Sequence, residues 1–204
     1  MRIIEQERAP NPRRVKIFVA EKGIDIAFEK LEINKAEHRT PEFTALNPYQ
    51  RVPVLVLDDG TAIAESVAIC RYLEALHPEP NLFGVGALES ALVEMWNRRM
   101  ELGLMYHVSQ CFRHRHPAMA EMEKPQIGAW ADANEARVYS SLEILDAQLS
   151  KSAFVAADRF TIADITTLVA IDFMKPARLE VPASLGNVKR WHEDVSSRPS
   201  ARAN

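Results

Sequence analysis

The sequence predicts a small α/β domain followed by an all-α domain. A strand, a turn and an amphipathic helix open the chain, and the last strand-like segment ends at Leu57. From Ala87 onward the apolar residues recur at helical spacing, and no strand pattern interrupts them. The pattern changes after the proline-rich stretch 77–80, which has the composition of a domain boundary. We therefore expect domains at 1–78 and 88–204, joined by a linker at 79–87.

The first strand is predicted at residues 2–5, and a proline-containing turn leads from it into the first helix. Asn11 is a favoured N-cap residue and Pro12 fits the first helical position, where its missing N–H costs nothing. Gly23 is a natural end for this helix. Strand, turn and helix in this order are the opening of an α/β unit.

The later elements follow from the same signals. Residues 26–33 and 52–57 have strand character, and a turn is expected at 58–60. A helix with a broad apolar face is expected at 66–76. In the second domain the helical segments are predicted near 88–113, 126–150, 162–174 and 186–196.

Composition excludes several classes of protein. The 204 residues are 47% apolar and 26% charged, as in a folded globular protein. The net charge of −3 does not favour a nucleic acid or an anionic membrane as partner. The first residues lack the apolar core of a signal peptide, and no run approaches the roughly 18 apolar residues of a membrane span. Cys70 and Cys111 are too few for a disulfide framework, so we expect a cytoplasmic protein with reduced thiols.

Three short segments carry polar residues that suit either local structure or contact with a small ligand. Pro53 lies near the start of a predicted strand, where proline is tolerated. The nearby Arg51 is either a solvated surface charge or a guanidinium that binds a carboxylate through two hydrogen bonds. Glu65 and Ser66 precede the predicted third helix. Ser66 suits an N-cap, and the exposed N–H groups of a helix N-terminus can also hold a carboxylate. Asn11 has the same ambiguity at the first helix.

Four segments together, in this order and spacing, resemble the cytosolic glutathione S-transferase family: 9–15, 46–55, 64–69 and 157–165. The resemblance implies a thioredoxin-like N-terminal domain and an all-helical C-terminal domain. It also implies a cis Val52–Pro53 bond that turns the backbone of Val52 toward the cysteinyl unit of glutathione. Glu65 and Ser66 would hold the γ-glutamyl end. Arg51, with Gln50 as a weaker neighbour, would meet the glycyl carboxylate.

The chain departs from the family at the residue that activates the glutathione thiol. Relatives usually place a Tyr, Ser or Cys after the first strand, but residues 5–11 contain none. Residues 9–15 most resemble the Thr-Pro-Asn pattern of nu-like bacterial members, with Ala9 at the threonine and Asn11 at the asparagine. The resemblance implies that Asn11 stabilises the thiolate, aided by the positive end of the first helix. Arg13 and Arg14 are either sources of positive potential or a solvated basic face.

The second domain is expected to contribute packing and part of a pocket. By resemblance, Thr161 and Asp164 form a capping box and Phe160 a hydrophobic staple. An apolar electrophile would be held between the domains, with the wall made by residues Ala9, Pro10, Met105, Val108 and Phe112. The run 111–116 contains Cys and His residues, yet no second ligand cluster stands at a recognisable spacing. We expect no metal.

The resemblance therefore implies a homodimeric detoxification enzyme with glutathione as co-substrate and no metal. Its thiolate would attack an apolar electrophile. Two alternatives remain open: a glutathione-dependent disulfide or peroxide reductase, and a binding protein of the same fold that has lost turnover. A redox protein acting through its own thiols is disfavoured, because no Cys-x-x-Cys follows the first strand.

Overall fold

The computed structural model describes residues 1–203, which divide into two units. The first comprises Met1–Asn81 together with the segment from Pro199 onward, and the second comprises Leu82–Arg198. The division falls inside the predicted linker, but the end of the chain differs from the predicted domains, because it packs with the first unit. There the Arg13 guanidinium donates to the Ala201 carbonyl at 3.0 Å, and the Ser200 hydroxyl bonds to Glu21.

A four-stranded mixed sheet forms the centre of the first unit. Its strands are β1 (Arg2–Glu5), β2 (Ala27–Lys30), β3 (Val54–Val56) and β4 (Ala62–Ala64), in the spatial order β2-β1-β3-β4. β1 and β2 are parallel, whereas β3 is antiparallel to both β1 and β4. Together with its helices this sheet confirms the thioredoxin-like fold class. β4 was not predicted.

Three helices flank the strands: α1 (Pro10–Lys22), α2 (Pro41–Leu46) and α3 (Ser66–Leu76), with short 3₁₀ turns at Ile33–Lys35, Glu37–Arg39 and Pro199–Arg202. Phe43 of α2 packs on the sheet face that carries Ile4 and Val54. Because side chains alternate along a strand, the fully buried Ile3 and Leu55 point to the opposite face.

Buried polar contacts show that α1 and α3 run side by side in the same direction. Near the start of α1, the Arg14 guanidinium donates to the hydroxyl of Ser66, the first residue of α3, at 2.6 Å. At the other end, the Lys22 ammonium lies 2.5 Å from the Glu74 carboxylate and donates to the His77 carbonyl at 2.7 Å. Corresponding ends are thus joined, so the positive ends of both helix dipoles lie at one edge of the unit.

The second unit is entirely helical in its described residues. It contains α4 (Gly86–Arg98), a π-helical segment (Arg99–Met105), α5 (Tyr106–Arg115), α6 (Gly128–Leu149), α7 (Ile162–Met174) and α8 (Gly186–Ser196), with a 3₁₀ turn at Pro117–Met119. α7 is its most buried helix, since every residue from Ile162 to Ile171 is buried. The all-α prediction is confirmed. None of the helices described could cross a membrane on grounds of length and apolarity.

The predicted capping box is present at the start of α7. Asp164 accepts from the N–H and hydroxyl of Thr161 at 2.9 and 3.0 Å, and it accepts from the Val155 N–H and the Trp191 indole at 2.9 and 3.0 Å. Burial raises the pKa of Asp164 to about 6, although all of these donors act to lower it. The cap is therefore also the link between α7, the preceding loop and α8.

Candidate active site

The first helix, α1, begins two residues earlier than predicted. The Ala9 carbonyl accepts the Arg13 N–H at 3.1 Å, so Ala9 is the N-cap and Pro10 the first helical residue. The expectation that Asn11 caps the helix is therefore wrong. The physical reason is the proline preference for the first helical position, which Pro10 satisfies instead of Pro12. Asn11 lies in the first turn, exposed to solvent.

This helix terminus concentrates its hydrogen-bond donors on one residue. Pro10 and Pro12 have no N–H, and the Ala9 N–H donates to the Gln6 carbonyl at 3.1 Å. Asn11 therefore supplies the one backbone N–H of the first turn that helix geometry leaves open, and its carboxamide adds a second donor group. The positive end of the dipole and both donors converge on Asn11, where no hydroxyl or thiol is available.

Arg14 is a buried residue of this site whose contacts were not predicted from the sequence. It is only 1% exposed, and one nitrogen, Nη1, donates both to Ser66 Oγ at 2.6 Å and to Asn11 Oδ1 at 3.3 Å. A solvated basic face is therefore wrong for Arg14. A signal existed, because Arg14 precedes the buried Ile17 and Phe18 by one helical turn and shares their apolar stripe.

The loop before β3 presents an open peptide edge. The Val52–Pro53 bond is cis, as the resemblance implied, and Pro53 is buried. Asn47 holds this loop, since its Nδ2 donates to the Arg51 carbonyl at 2.8 Å and its Oδ1 accepts from the Tyr49 N–H at 3.1 Å. Among residues 1–203 no group forms a hydrogen bond with the N–H or C=O of Val52. Both are free to pair with an extended ligand.

Gln50 and Arg51 differ in what they can offer a ligand. The Gln50 carboxamide donates to Thr44 Oγ1 at 3.1 Å and so supports the loop, which holds Gln50 at a positive φ of 54°. The Arg51 side chain is exposed. Arg51 is accordingly the better candidate for a carboxylate.

At the start of α3, Glu65 is the N-cap and Ser66 the first helical residue. The alternative reading of Ser66 as the N-cap is therefore wrong, because the Glu65 carbonyl already accepts the Ile69 N–H at 3.0 Å. Glu65 is exposed, and its φ of 69° is uncommon for a residue with a Cβ. Strain of this kind often marks a functional site. The first N–H groups of α3 are free by helix geometry, beside a carboxylate.

The sheet register brings these segments to one edge. Val54 pairs with Ala64 and with Ile4, so the residues before Val54 lie beside those that follow β4 and β1. The Arg14 guanidinium closes the group by contacting both Asn11 and Ser66. The residues predicted to bind glutathione thus come from one continuous edge of the first unit.

The remaining predicted site residues are less informative. Ala9 and Pro10 are half-buried at the start of α1, and Met105 and Val108 are buried. Phe112 packs on His116 and Phe173, with ring centroids 4.7 and 5.0 Å away. Their joint role as an electrophile pocket stays a prediction.

The thiols of the protein are poor nucleophiles. Burial raises the pKa of Cys70 to about 12, although the charge of Arg14 acts to lower it. Burial also raises the pKa of Cys111, whose sulfur donates to the Ala131 carbonyl at 3.4 Å. In the part of the chain that the structure describes, no three His, Cys, Asp or Glu side chains are grouped to hold a metal ion.

Comparison with known proteins agrees with this geometry. The model of the glutathione S-transferase N-terminal domain matches residues 9–76, and that of the C-terminal domain matches residues 99–199. Glutathione S-transferase 2 of Saccharomyces cerevisiae is 36% identical, over 99% of this chain and 88% of its own length. Glutathione S-transferase 3 of Zea mays is 29% identical, over 94% of this chain and 87% of its own.

Solved structures show the same relationship. A glutathione S-transferase domain-containing protein of Marinobacter aquaeolei superimposes with a TM-score of 0.95 at 38% identity, covering 98% of this chain and 99% of that one. Gtt2 of Saccharomyces cerevisiae gives a TM-score of 0.94 at 36% identity, covering 99% of each chain. The chain therefore belongs to the glutathione S-transferase family, and the predicted activity of a glutathione transferase is confirmed.

Proposed function

We propose that this glutathione transferase binds glutathione along Asn11, Arg51, Val52, Glu65 and Ser66. The backbone of Val52 pairs with the cysteinyl unit, next to the buried Pro53. The γ-glutamyl carboxylate sits on Ser66 and the first N–H groups of α3, while Glu65 accepts from the ammonium. The exposed Arg51 meets the glycyl carboxylate, with Gln50 shaping the loop.

The observation that carries the mechanism is the first turn of α1, in which Asn11 stands between two prolines. A thiol resembling that of cysteine has a pKa near 8.5. Hydrogen bonds from the Asn11 N–H and carboxamide, together with the helix dipole, favour the thiolate. The proton is lost to solvent. This arrangement follows the nu-like, bacterial pattern, and it draws on no metal ion.

The thiolate is the nucleophile of the transfer step. Its sulfur forms a bond to an electrophilic carbon as the bond from that carbon to the leaving group breaks, and the leaving group departs with the electron pair. An aryl chloride thus yields the glutathione thioether and chloride. We propose detoxification of such apolar electrophiles as the physiological role.

We also propose a cytoplasmic homodimer. Both cysteines are buried and free, as suits a reducing compartment. The continuous helical segment from α4 to α5 exposes four large apolar side chains, which are Leu88, Leu92, Leu102 and Tyr106. Exposed apolar side chains of this kind favour a protein interface. Sedimentation of wild type and Leu88→Glu tests the dimer, and a monomeric wild type at micromolar concentration would contradict it.

The decisive experiment titrates the ultraviolet thiolate absorbance of bound glutathione in wild type and Asn11→Ala. We expect the pKa of the bound thiol to lie below that of free glutathione in wild type and to rise in Asn11→Ala. Equal depression in both proteins would leave Asn11 without a role in activation. Turnover of chlorodinitrobenzene and of hydroxyethyl disulfide, each with glutathione, distinguishes the transferase from a disulfide reductase.

A further inference from the structure

Arg14 joins the two halves of the proposed glutathione site from inside the protein. Its side chain is buried between α1 and α3, and its Nη1 donates at once to Ser66 Oγ and to Asn11 Oδ1. Ser66 belongs to the γ-glutamyl end of the site and Asn11 to the thiol end. One nitrogen of Arg14 thus contacts both proposed binding groups from inside the protein.

The chemistry of a guanidinium decides how both groups are oriented. Arginine has five N–H donors and no acceptor. The Ser66 oxygen must therefore accept from Arg14, so its own hydroxyl proton turns elsewhere. Likewise the Asn11 carbonyl oxygen must face Arg14, which turns its NH₂ group outward. If the Asn11 amide were flipped, or if the Ser66 hydroxyl pointed its proton at Arg14, a donor would face the Arg14 guanidinium, which cannot accept a hydrogen bond.

We propose that Arg14 is a positioning residue, which sets Asn11 and Ser66 as hydrogen-bond donors toward the two anionic groups of glutathione. The proposal rests on the proposed function, because it assumes that the thiolate lies at Asn11 and the γ-glutamyl carboxylate at Ser66. Arg14 touches neither anion. It acts by fixing the proton positions of two groups that do, and its buried charge adds to the positive ends of α1 and α3.

The arrangement also links thiol activation to peptide binding. A donor aimed at an anion forms a charge-assisted hydrogen bond, which is roughly twice as strong as a neutral one. If Arg14 is replaced, the Asn11 amide can rotate and present its oxygen to the sulfur, and the Ser66 proton can turn inward. Removal of this one side chain should weaken both ends of the site at once.

The test compares Arg14→Met with Arg13→Met. Both lose one arginine from the same turn of α1, but the Arg13 guanidinium donates to the Ala201 carbonyl, which lies outside the proposed site. The first readout is the pKa of the bound glutathione thiol. The second is the affinity for S-methylglutathione, which has no ionisable thiol and therefore reports only on the peptide anchors. Circular dichroism confirms that each variant is folded.

We expect Arg14→Met to raise the pKa of the bound thiol by about one unit and to weaken S-methylglutathione binding about tenfold. Arg13→Met should change the thiol pKa by much less. Combining Arg14→Met with Asn11→Ala should raise this pKa by less than the sum of the two single effects. Arg14→Lys, which retains a cation that only donates, should return both readouts toward wild type.

A folded Arg14→Met protein with the thiol pKa and S-methylglutathione affinity of wild type overturns the proposal. If Arg14→Met does not fold, Arg14→Gln replaces it, since glutamine is neutral and can accept as well as donate. Unchanged readouts in Arg14→Gln overturn the proposal equally. The failure of the proposed function is seen separately, in wild type, as a bound thiol that titrates like free glutathione.

Discussion

Replacement of Asp164 by alanine should be among the most destabilising single changes in the second unit. Asp164 is 0% exposed, and its two oxygens accept four hydrogen bonds. Three of the donors are N–H groups, on Val155, Thr161 and Trp191, that have no rotation available to find another acceptor. In Asp164→Ala these donors remain buried while the carboxylate is gone.

The cost follows from the number of donors left without an acceptor. Each buried unsatisfied donor costs about 1–3 kcal/mol, so three of them amount to about 4 kcal/mol once partial relaxation is allowed. The loss of an isolated helix cap is only about 1 kcal/mol. Since whole domains are stable by about 5–15 kcal/mol, Asp164→Ala should lower the melting temperature by roughly 8–16 °C.

Asp164→Asn separates the effect of charge from that of hydrogen bonding. The folded pKa of about 6 lies above the ordinary value of 3.8, so the folded protein retains a proton that the unfolded chain has lost. Stability from this group is therefore fully present below about pH 4 and is lost as pH rises through about 6, by up to about 3 kcal/mol. Asparagine does not titrate. The stability of wild type relative to Asp164→Asn should thus fall between about pH 4 and 6 and level off above about pH 7.

Urea unfolding followed by tryptophan fluorescence measures both variants, with Asp132→Ala as the control. Asp132 pairs with Arg115 at 2.5 Å but its side chain is 74% exposed, so its loss should cost under about 1 kcal/mol. An Asp164→Ala protein as stable as Asp132→Ala would refute the role given to this network. A relative stability of Asp164→Asn that is constant with pH would refute the raised pKa.

Two further predictions concern the proposed glutathione site. Arg51→Ala should raise the KM for glutathione about fivefold and leave kcat nearly unchanged, because an exposed charge contributes about 1 kcal/mol to ligand binding only. Steady-state kinetics with chlorodinitrobenzene measures both constants. A fall in kcat alone would contradict the prediction. Asn11→Asp should retain the contact with Arg14 but raise the pKa of the bound thiol further than Asn11→Ala does, because a carboxylate presents no donor and repels the thiolate. Titration of the thiolate absorbance measures the difference. A thiol pKa as low as that of wild type would show that the Asn11 carboxamide does not face the sulfur.

How far the sequence predicts the fold depends on the length of each element. The helices expected at 162–174 and 186–196 correspond to α7 and α8, because caps and apolar periodicity extend over more than ten residues. β4 has three residues and α2 has six. Neither element is long enough to show a helical or strand period of apolar residues. Both form because a neighbouring strand or sheet face is available to pair or pack with them. Tertiary context, which the sequence does not display, therefore decides them.

The same distinction applies to the site. Val52, Glu65 and Ser66 lie in short contiguous motifs, so resemblance was enough to propose them. Arg14 acts through a contact with a residue 52 positions away, and that contact exists only because α1 and α3 lie parallel. The sequence indicates this contact only by a basic residue that lies on the apolar face of a helix. Its partner could not have been named from the sequence.

The positive edge formed by α1, α3 and Arg14 raises the question of how glutathione is distinguished from other anions. Two helix N-termini and a buried guanidinium attract any carboxylate or thiolate. Glu65 is the one carboxylate among the proposed binding residues, and it lies exposed at the N-cap of α3. The negative charge of Glu65 repels anionic ligands in general. Only a ligand that also carries an ammonium group compensates for this repulsion, because the ammonium group can pair with the carboxylate. Selectivity for the γ-glutamyl amine should therefore reside in Glu65.

Calorimetric titration with glutathione and with its deamino analogue tests this argument. Wild type should prefer glutathione by about tenfold or more, the value of one charge-assisted hydrogen bond. Glu65→Gln should bind glutathione more weakly, yet bind the deamino analogue as well as wild type does or better, because the repulsion is gone. Glu42→Gln, which removes an exposed carboxylate in the first turn of α2, should leave the preference intact. If Glu65→Gln weakens both ligands by the same factor, Glu65 only shapes the start of α3, and the amine is recognised elsewhere.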